Sequence, residues 1–346
     1  MGHRVALVAI LAVTAGCSTA PASAPPSAPG PTSAPTTAAA SPTPTAPPAV
    51  TKRFTIAPDA VIDTKLLGTN DLYVNPGALI EVDGVLHLFP NSFSTWPGRM
   101  RVPHLTSTDG IEWTLDSEAD VLDTDTEGLF PMANPGIDVS TGFITDDGTW
   151  VLLFQNVSLA TGGPWRIFRM TASTPQGPWT IDPEPVIDVG SGDDFDTTGA
   201  QWPSVVRVGD RWAAYYAGFS GAGRGTGRIG VAFSDDGRTW TKQPEPVLQA
   251  TESWELRSLD RPRVVSTPDG LVMLYTALDL NRRGLATSTD GLAWTKVPGP
   301  SIEQKDFPLQ GGSWDSALRY HDGELEYLLE IGNQTTSVYR ATLAWP

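Results

Sequence analysis

Several acidic residues in this 346-residue chain stand just ahead of, or inside, short apolar runs, where they could give and take protons. Asp71, Asp138, Asp260 and Asp315 are the four candidates. Two carboxyl groups flanking one bond, one protonated and one ionised, can drive a single displacement between them. Amides and indoles recur at the same places: Asn75, Asn134, Gln201, Trp202 and Trp314, with Trp96 further along blade-like pattern one. Arg257 and Arg261 flank Asp260, and Arg101 follows Trp96. Indole rings stack on apolar ligand faces while Arg and amide groups bond hydroxyls, so the set suits a sugar. Structural alternatives stand beside these readings. Asp260 has Arg257 and Arg261 as ion-pair partners, Asp71 and Asp196 suit loop capping, and Asp138 needs a partner if it is buried.

Other chemistries find no support. The histidines are His3, His87, His104 and His321, and the last three lack metal-ligand spacing. Gly221–Gly227 is glycine-rich but precedes no helix, so it reads as a hairpin loop rather than a phosphate cradle. No metal and no cofactor is called for.

The elements that must position the candidates show up as a repeat. Four boxes align: Ser107-Thr-Asp-Gly-Ile-Glu-Trp113, Ser173-Thr-Pro-Gln-Gly-Pro-Trp179, Ser234-Asp-Asp-Gly-Arg-Thr-Trp240 and Ser288-Thr-Asp-Gly-Leu-Ala-Trp294. Their serines are 66, 61 and 54 residues apart. The Asp-Gly or Gln-Gly pair predicts a tight turn, and the Trp packs between strands rather than on a ligand. Upstream of each box lies a strand opener: Asn75-Pro76, Asn134-Pro135, Gln201-Trp202-Pro203 and Asp260-Arg261-Pro262, with Trp314-Asp315 as a fifth. An apolar hairpin follows each opener, turning at Asp83-Gly84, Asp147-Gly148, Gly209-Asp210, Asp269-Gly270 and Asp322-Gly323. Five openers predict an all-β, five-bladed β-propeller of about four strands per blade. A strand near Phe54–Ile62 is placed to close the ring beside the fifth unit.

From Phe54 onward the chain resembles the five-bladed propeller glycoside hydrolases, namely the arabinanase/β-xylosidase family 43 and the invertase/levanase family 32. The strings Asp196-Thr-Thr-Gly-Ala-Gln-Trp-Pro-Ser-Val-Val, Tyr215-Tyr-Ala-Gly and Ile229-Gly-Val-Ala-Phe-Ser-Asp-Asp-Gly-Arg-Thr-Trp240 carry the resemblance. It implies that the openers converge on a central funnel. There the enzymes keep an Asp in blade one, a helper Asp in blade two and an acid Glu in blade three. This chain has Asn75, Asn134 and Gln201 at those places. The resemblance therefore implies glycosidic-bond hydrolysis with the carboxylates drawn from Asp71, Asp138, Asp260 and Asp315. A non-catalytic sugar receptor with amides in the pocket is the alternative.

The bulk numbers agree with a sugar partner. A net charge of −16 excludes a nucleic-acid surface, which needs clustered Lys and Arg. Residues 1–16 read as an export signal, with an apolar stretch Val5–Val13 too short to span a bilayer. Thr14-Ala15-Gly16-Cys17 resembles a bacterial lipoprotein box, so Cys17 is expected to carry lipid and to be the sole membrane contact. Residues 17–50 form a Pro/Ser/Thr/Ala-rich tether that cannot bury enough apolar surface to fold. Residues 51–346 form the propeller, expected to be a monomer on the outer face of the cell membrane.

Overall fold

The computed structural model describes residues 51–96, 98–116, 120–126, 135–158, 163–221, 227–279 and 281–346. The expected signal, lipid attachment at Cys17 and tether of residues 1–50, and the candidate Asn134, lie outside these residues. The described part is all-β, and its strands group into five antiparallel sheets arranged as a five-bladed propeller.

Each blade begins with an inner strand at one of the openers. These strands are Tyr73–Val82, Pro135–Ile144, Gly199–Val208, Leu259–Thr267 and Ser316–His321. Each contacts the inner strands of the blades before and after it, and Tyr73–Val82 also meets Ser316–His321, which completes the ring. Two-residue turns set the hairpins behind them. Asp83-Gly84 and Asp322-Gly323 both hold two successive left-handed residues, the turn whose twist matches that of the flanking strands. Blade one carries an additional short pair, Met100–Val102 with Leu122–Asp123, on the end of its second strand.

The fifth blade takes its outermost strand from the other end of the sequence. Thr55–Ile62 pairs antiparallel with Thr336–Ala344, so an early strand and a late one share a sheet.

Why the second strands are apolar without interruption is clear from the packing. Side chains alternate between strand faces, and here both faces are covered. Leu152 and Phe154 point into the seam with blade one, whereas Val151 and Leu153 point into the seam with blade three. Leu271, Met273 and Tyr275 face blade three, and Val272 and Leu274 face blade five. Five apolar clusters result, one at each seam between neighbouring blades. Full burial of each such side chain contributes about 1.5–3 kcal/mol, which makes the seams the main source of stability.

The box tryptophans serve these seams. Trp113 and Trp179 are buried, and Trp240 and Trp294 pack half-buried in the seam with the preceding blade. The box turn itself differs from a plain hairpin. In blades one, three and four the Ser hydroxyl accepts from the Gly amide, as Ser107 does from Gly110 at 2.9 Å. The Asp carboxylate then accepts from the two amides that follow, as Asp109 does from Ile111 and Glu112. Those bonds hold Asp109, Asp236 and Asp290 below the usual carboxylate range, Asp236 at about 2. The blade-two box, with Pro175 where the others carry the capping Asp, lacks this cap and closes instead through Thr174 to the Gly177 carbonyl.

Candidate active site in the central funnel

One register position defines the funnel floor. Where each inner strand enters, the blades carry Asn75, Asp138, Gln201, Asp260 and Asp315 in turn. Across each hairpin the second strand sets Asn91, Gln155, Ala217, Thr276 and Glu330 against them. Asp138 therefore holds the blade-two place that the sequence pattern gives to Asn134. Glu330 is a functional candidate that the sequence reading missed. A signal for it exists: a two-residue turn at Asp322-Gly323 fixes the register, and that register puts residue 330 opposite 315.

A bulge interrupts the inner strand just past this position in blades one to four. In blades three and four the bulged residue is left-handed without being glycine: Trp202 has φ 49° and Arg261 φ 47°. Bulky side chains adopt this conformation at a cost of order 1–3 kcal/mol, and bulges re-aim side chains. Here both are aimed into the funnel, where the Arg261 guanidinium lies 3.8 Å from the centroid of the Trp202 ring.

Asp138, Gln155, Gln201, Trp202, Arg261, Asp315 and Glu330 line one cavity of about 650 Å³. Asn75 lines it from blade one. The three carboxyl groups in it have unlike surroundings. Asp138 is half-buried and meets only neutral donors. Its Oδ1 accepts from Asn91 at 2.9 Å, and its Oδ2 from Gln155 at 3.0 Å and the Trp202 indole at 3.3 Å. Asn91 and Gln155 are themselves fixed, the first by Asn75 and Val139, the second by the Trp202 amide. Burial, with the Asp315 charge nearby, pushes the Asp138 carboxyl well above its ordinary range.

Asp315 is buried and ion-paired with Arg263, and its Oδ1 also accepts from the Ser316 amide at 2.7 Å. Its Oδ2 has no hydrogen-bond partner in the protein. Glu330 is 2% exposed, accepts from the Asp315 amide, and is pushed up to about 8 by burial and by the Asp315 charge. The floor thus carries one charge-compensated carboxylate beside two carboxyl groups whose surroundings favour the protonated form.

The remaining sequence candidates fall elsewhere. Asp71 lies behind the cavity wall, bonded to Ser92 and to Ser94, each at 2.7 Å, and paired with Arg101 at 2.6 Å. Burial raises it, but those three partners outweigh burial and hold it below the usual range. Asp260 is buried beneath the cavity, paired with Arg261 at 2.8 Å, and keeps Oδ1 without a partner. Arg257 is exposed and is not part of the lining. Trp96 and Trp314 line the cavity at its rim, 45% and 37% exposed. Asp196 and Glu255 sit in the seams, each bonded to a Lys and a Tyr.

With this geometry in place, comparison with known proteins is informative. A family profile described as β-1,4-mannooligosaccharide phosphorylase, of glycoside hydrolase family 130, matches residues 215–310. An uncharacterized protein of Mycobacterium tuberculosis, Rv1502, is 27% identical over 190 residues, 52% of this chain. The match spans 60% of that relative's length. Among solved structures, a glycosyl hydrolase from Bacteroides ovatus superposes with a TM-score of 0.62 at 16% identity, covering 84% of this chain and 94% of that one. A thermostable family-43 glycoside hydrolase gives 0.60 at 16% identity over 78% and 88%. A family-130 structure, from a group described as containing hydrolases that target β-1,2 mannosidic linkages in Candida mannan, gives 0.60 at 16% over 86% and 95%. The chain has the five-bladed propeller fold used by glycoside hydrolases, and family 130 adds a sequence match within blades three and four.

Proposed function

We propose that the protein is a glycoside hydrolase that cleaves a neutral oligosaccharide from its end, in the central funnel. The observation that carries this is the contrast between Asp138 and Asp315 on one cavity floor. Paired groups whose surroundings drive their protonation apart supply an acid and a base. Asp138, held among neutral donors, gives its proton to the glycosidic oxygen as the bond to the anomeric carbon breaks. Asp315, ion-paired with Arg263, uses its unpartnered Oδ2 to take a proton from the water that attacks that carbon. Glu330, protonated at neutral pH, keeps a second negative charge away from Asp315. Gln201, Asn75 and Arg261 face the same space and suit the sugar hydroxyls. A closed floor fits a chain end better than a chain interior.

Water rather than phosphate is the acceptor in this reading. Binding a phosphate dianion needs uncommitted cations. Among the described residues Arg261 is the one cation on the cavity lining, and it already pairs Asp260 and covers Trp202. β-Mannosides are the first substrates to try, given the family-130 match and the neighbour directed at β-1,2 linkages.

The test is release of free sugar from β-1,4- and β-1,2-mannooligosaccharides, arabinooligosaccharides and aryl glycosides, with and without inorganic phosphate. Turnover independent of phosphate is expected. Turnover that requires phosphate and yields a sugar phosphate would overturn the acceptor assignment. Retention of a sugar without turnover would favour the receptor reading suggested by Asn75 and Gln201. We also propose export and lipid anchoring through Cys17, with residues 17–50 as spacer. Cys17→Ala should move the protein from the membrane fraction to the medium.

A further inference from the structure

The cavity has more room than a single sugar ring requires. At about 650 Å³ it falls inside the range of roughly 300–1,000 Å³ that encloses drug-sized ligands, about two or three rings of an oligosaccharide. The floor groups are gathered at one end, on the inner strands. What lies between them and solvent on one side is a wall of aromatic rings. Tyr73 stacks on Phe93 with centroids 5.2 Å apart and planes 20° from parallel. Phe93 meets Trp96 edge-on at 6.1 Å, and Trp96 stacks on Trp165 at 6.0 Å and 18°.

The wall joins two blades, since Tyr73, Phe93 and Trp96 belong to blade one and Trp165 precedes the third strand of blade two. Trp96 is nonetheless 45% exposed. A tryptophan packed against two other rings, yet open on its remaining side, offers water an apolar surface that a ligand can cover. Its own flatness, and a wall of Tyr73, Phe93, Trp96 and Trp165 without a charged side chain, select for shape and not for charge. The C–H face of a pyranose or furanose ring has that shape, and Ser94 and Asn333 on the same lining offer hydroxyl partners.

We infer that the Trp96–Trp165 wall is the subsite for the sugar on the leaving-group side of the scissile bond, and that Trp96 makes the protein select oligosaccharides over simple glycosides. This rests on the hydrolase reading above. The cleaved chain end occupies the floor, its glycosidic oxygen lies near Asp138, and the next ring leans on Trp96 towards the opening. The cavity's continuity from Asp138 to Trp96 is what ties the two parts to one ligand.

The experiment uses the full chain carrying Asp138→Asn, which keeps the side-chain size and stops turnover. Binding of β-1,4- and β-1,2-mannooligosaccharides of one, two and three rings is measured by titration calorimetry and by tryptophan fluorescence. Affinity should rise by roughly tenfold from one ring to two, the scale of one aromatic contact. Adding Trp96→Ala should abolish that rise and leave one-ring affinity unchanged. Trp165→Ala, which removes the ring stacked on Trp96, should give a loss of the same kind. In the otherwise wild-type protein Trp96→Ala should raise KM for the longer substrates. A rise that survives both substitutions overturns the subsite and leaves the hydrolase reading intact. No binding at any length overturns the subsite as well, and turnover of the same sugars by the wild type then decides whether the hydrolase reading falls with it.

Discussion

The funnel floor and the blade seams both bury carboxyl groups, and they treat them in opposite ways. In the seam between blades three and four, Glu255 accepts from Tyr275 at 2.8 Å and from Lys296 at 2.6 Å, and it also takes the amides of Thr251 and Glu252. Burial raises its carboxyl, but Lys296 and the other donors outweigh burial and hold it below the ordinary range. Asp196 repeats the arrangement one blade earlier, with Tyr216 at 2.8 Å and Lys242 at 2.9 Å. Both oxygens of Glu255 are satisfied, each carboxylate has a cation in contact, and neither lines the cavity. On the floor, Asp138 has amides and an indole but no cation, and Asp315 keeps an oxygen free. Burial alone does not mark a working carboxyl group. The kind of partner does: full satisfaction with a cation in contact fixes a fold, whereas the neutral donors on Asp138 and the unpartnered oxygen of Asp315 leave a site for a proton.

The largest expected effect separates the two regions directly. Asp138→Asn should lower turnover by about 10²- to 10⁴-fold, the usual scale of a positioned acid, with little change in thermal unfolding. Glu255→Gln should do the reverse. It strands Lys296 beside a neutral amide, so a stability loss of about 3–5 kcal/mol is expected with kcat unchanged. Both variants are read by steady-state assay and by calorimetric unfolding. If Glu255→Gln silenced a well-folded protein, the contrast between floor and seam would collapse.

A pH series sharpens the same contrast. Glu330 is raised in the fold from an ordinary value near 4.5 to about 8. The folded protein therefore holds a proton that the unfolded chain has released across this window. Its stabilising proton is fully bound below about 4.5, and stability falls as pH rises from there to about 8. Glu330→Gln removes the titration, so its stability should exceed that of wild type near pH 8, by a few kcal/mol, and the gap should close below pH 5. Unfolding midpoints in denaturant at four or five pH values measure it. A constant gap across the series would mean that Glu330 is ionised in the folded protein.

Much of the fold was legible in the sequence, because the signals were local and repeated. The Ser107, Ser234 and Ser288 boxes each encode one turn, and five openers counted the blades. The floor was less legible. Asp138 sits four residues beyond its apparent match, Asn134, because position in a strand is counted from the pairing with Gln155 and not from the preceding proline. Glu330 hides in an apolar run, Leu325–Ile331, whose neighbours face the seams. Nothing in the string around Glu255 says that Lys296, 41 residues on, will meet it. Long-range pairing decides which carboxyl group meets a cation and which meets neutral donors, and single-sequence spacing carries little of it.

The smallest effect belongs to a seam and runs in the opposite pH direction to Glu330. In the seam between blades one and two, His104 is fully buried, stacked on Phe89 at 4.9 Å and bonded to His87 at 3.0 Å. Burial pushes His104 down to about 4, more than the nearby Asp116 charge restores, and burial lowers His87 as well. Both rings are neutral in the fold near neutral pH. As pH falls below the ordinary value of 6.5, the unfolded chain takes up protons that the folded protein refuses until about 4. Stability should therefore drop over that window, by at most about 3 kcal/mol for His104. His104→Gln cannot titrate, so it should start less stable at pH 7 and lose less on acidification. Its unfolding free energy between pH 7 and 4 should trace a shallower line than that of wild type. Parallel lines would mean that the ring pair takes a proton in the folded seam, and that seams, like the floor, can hold groups poised to titrate.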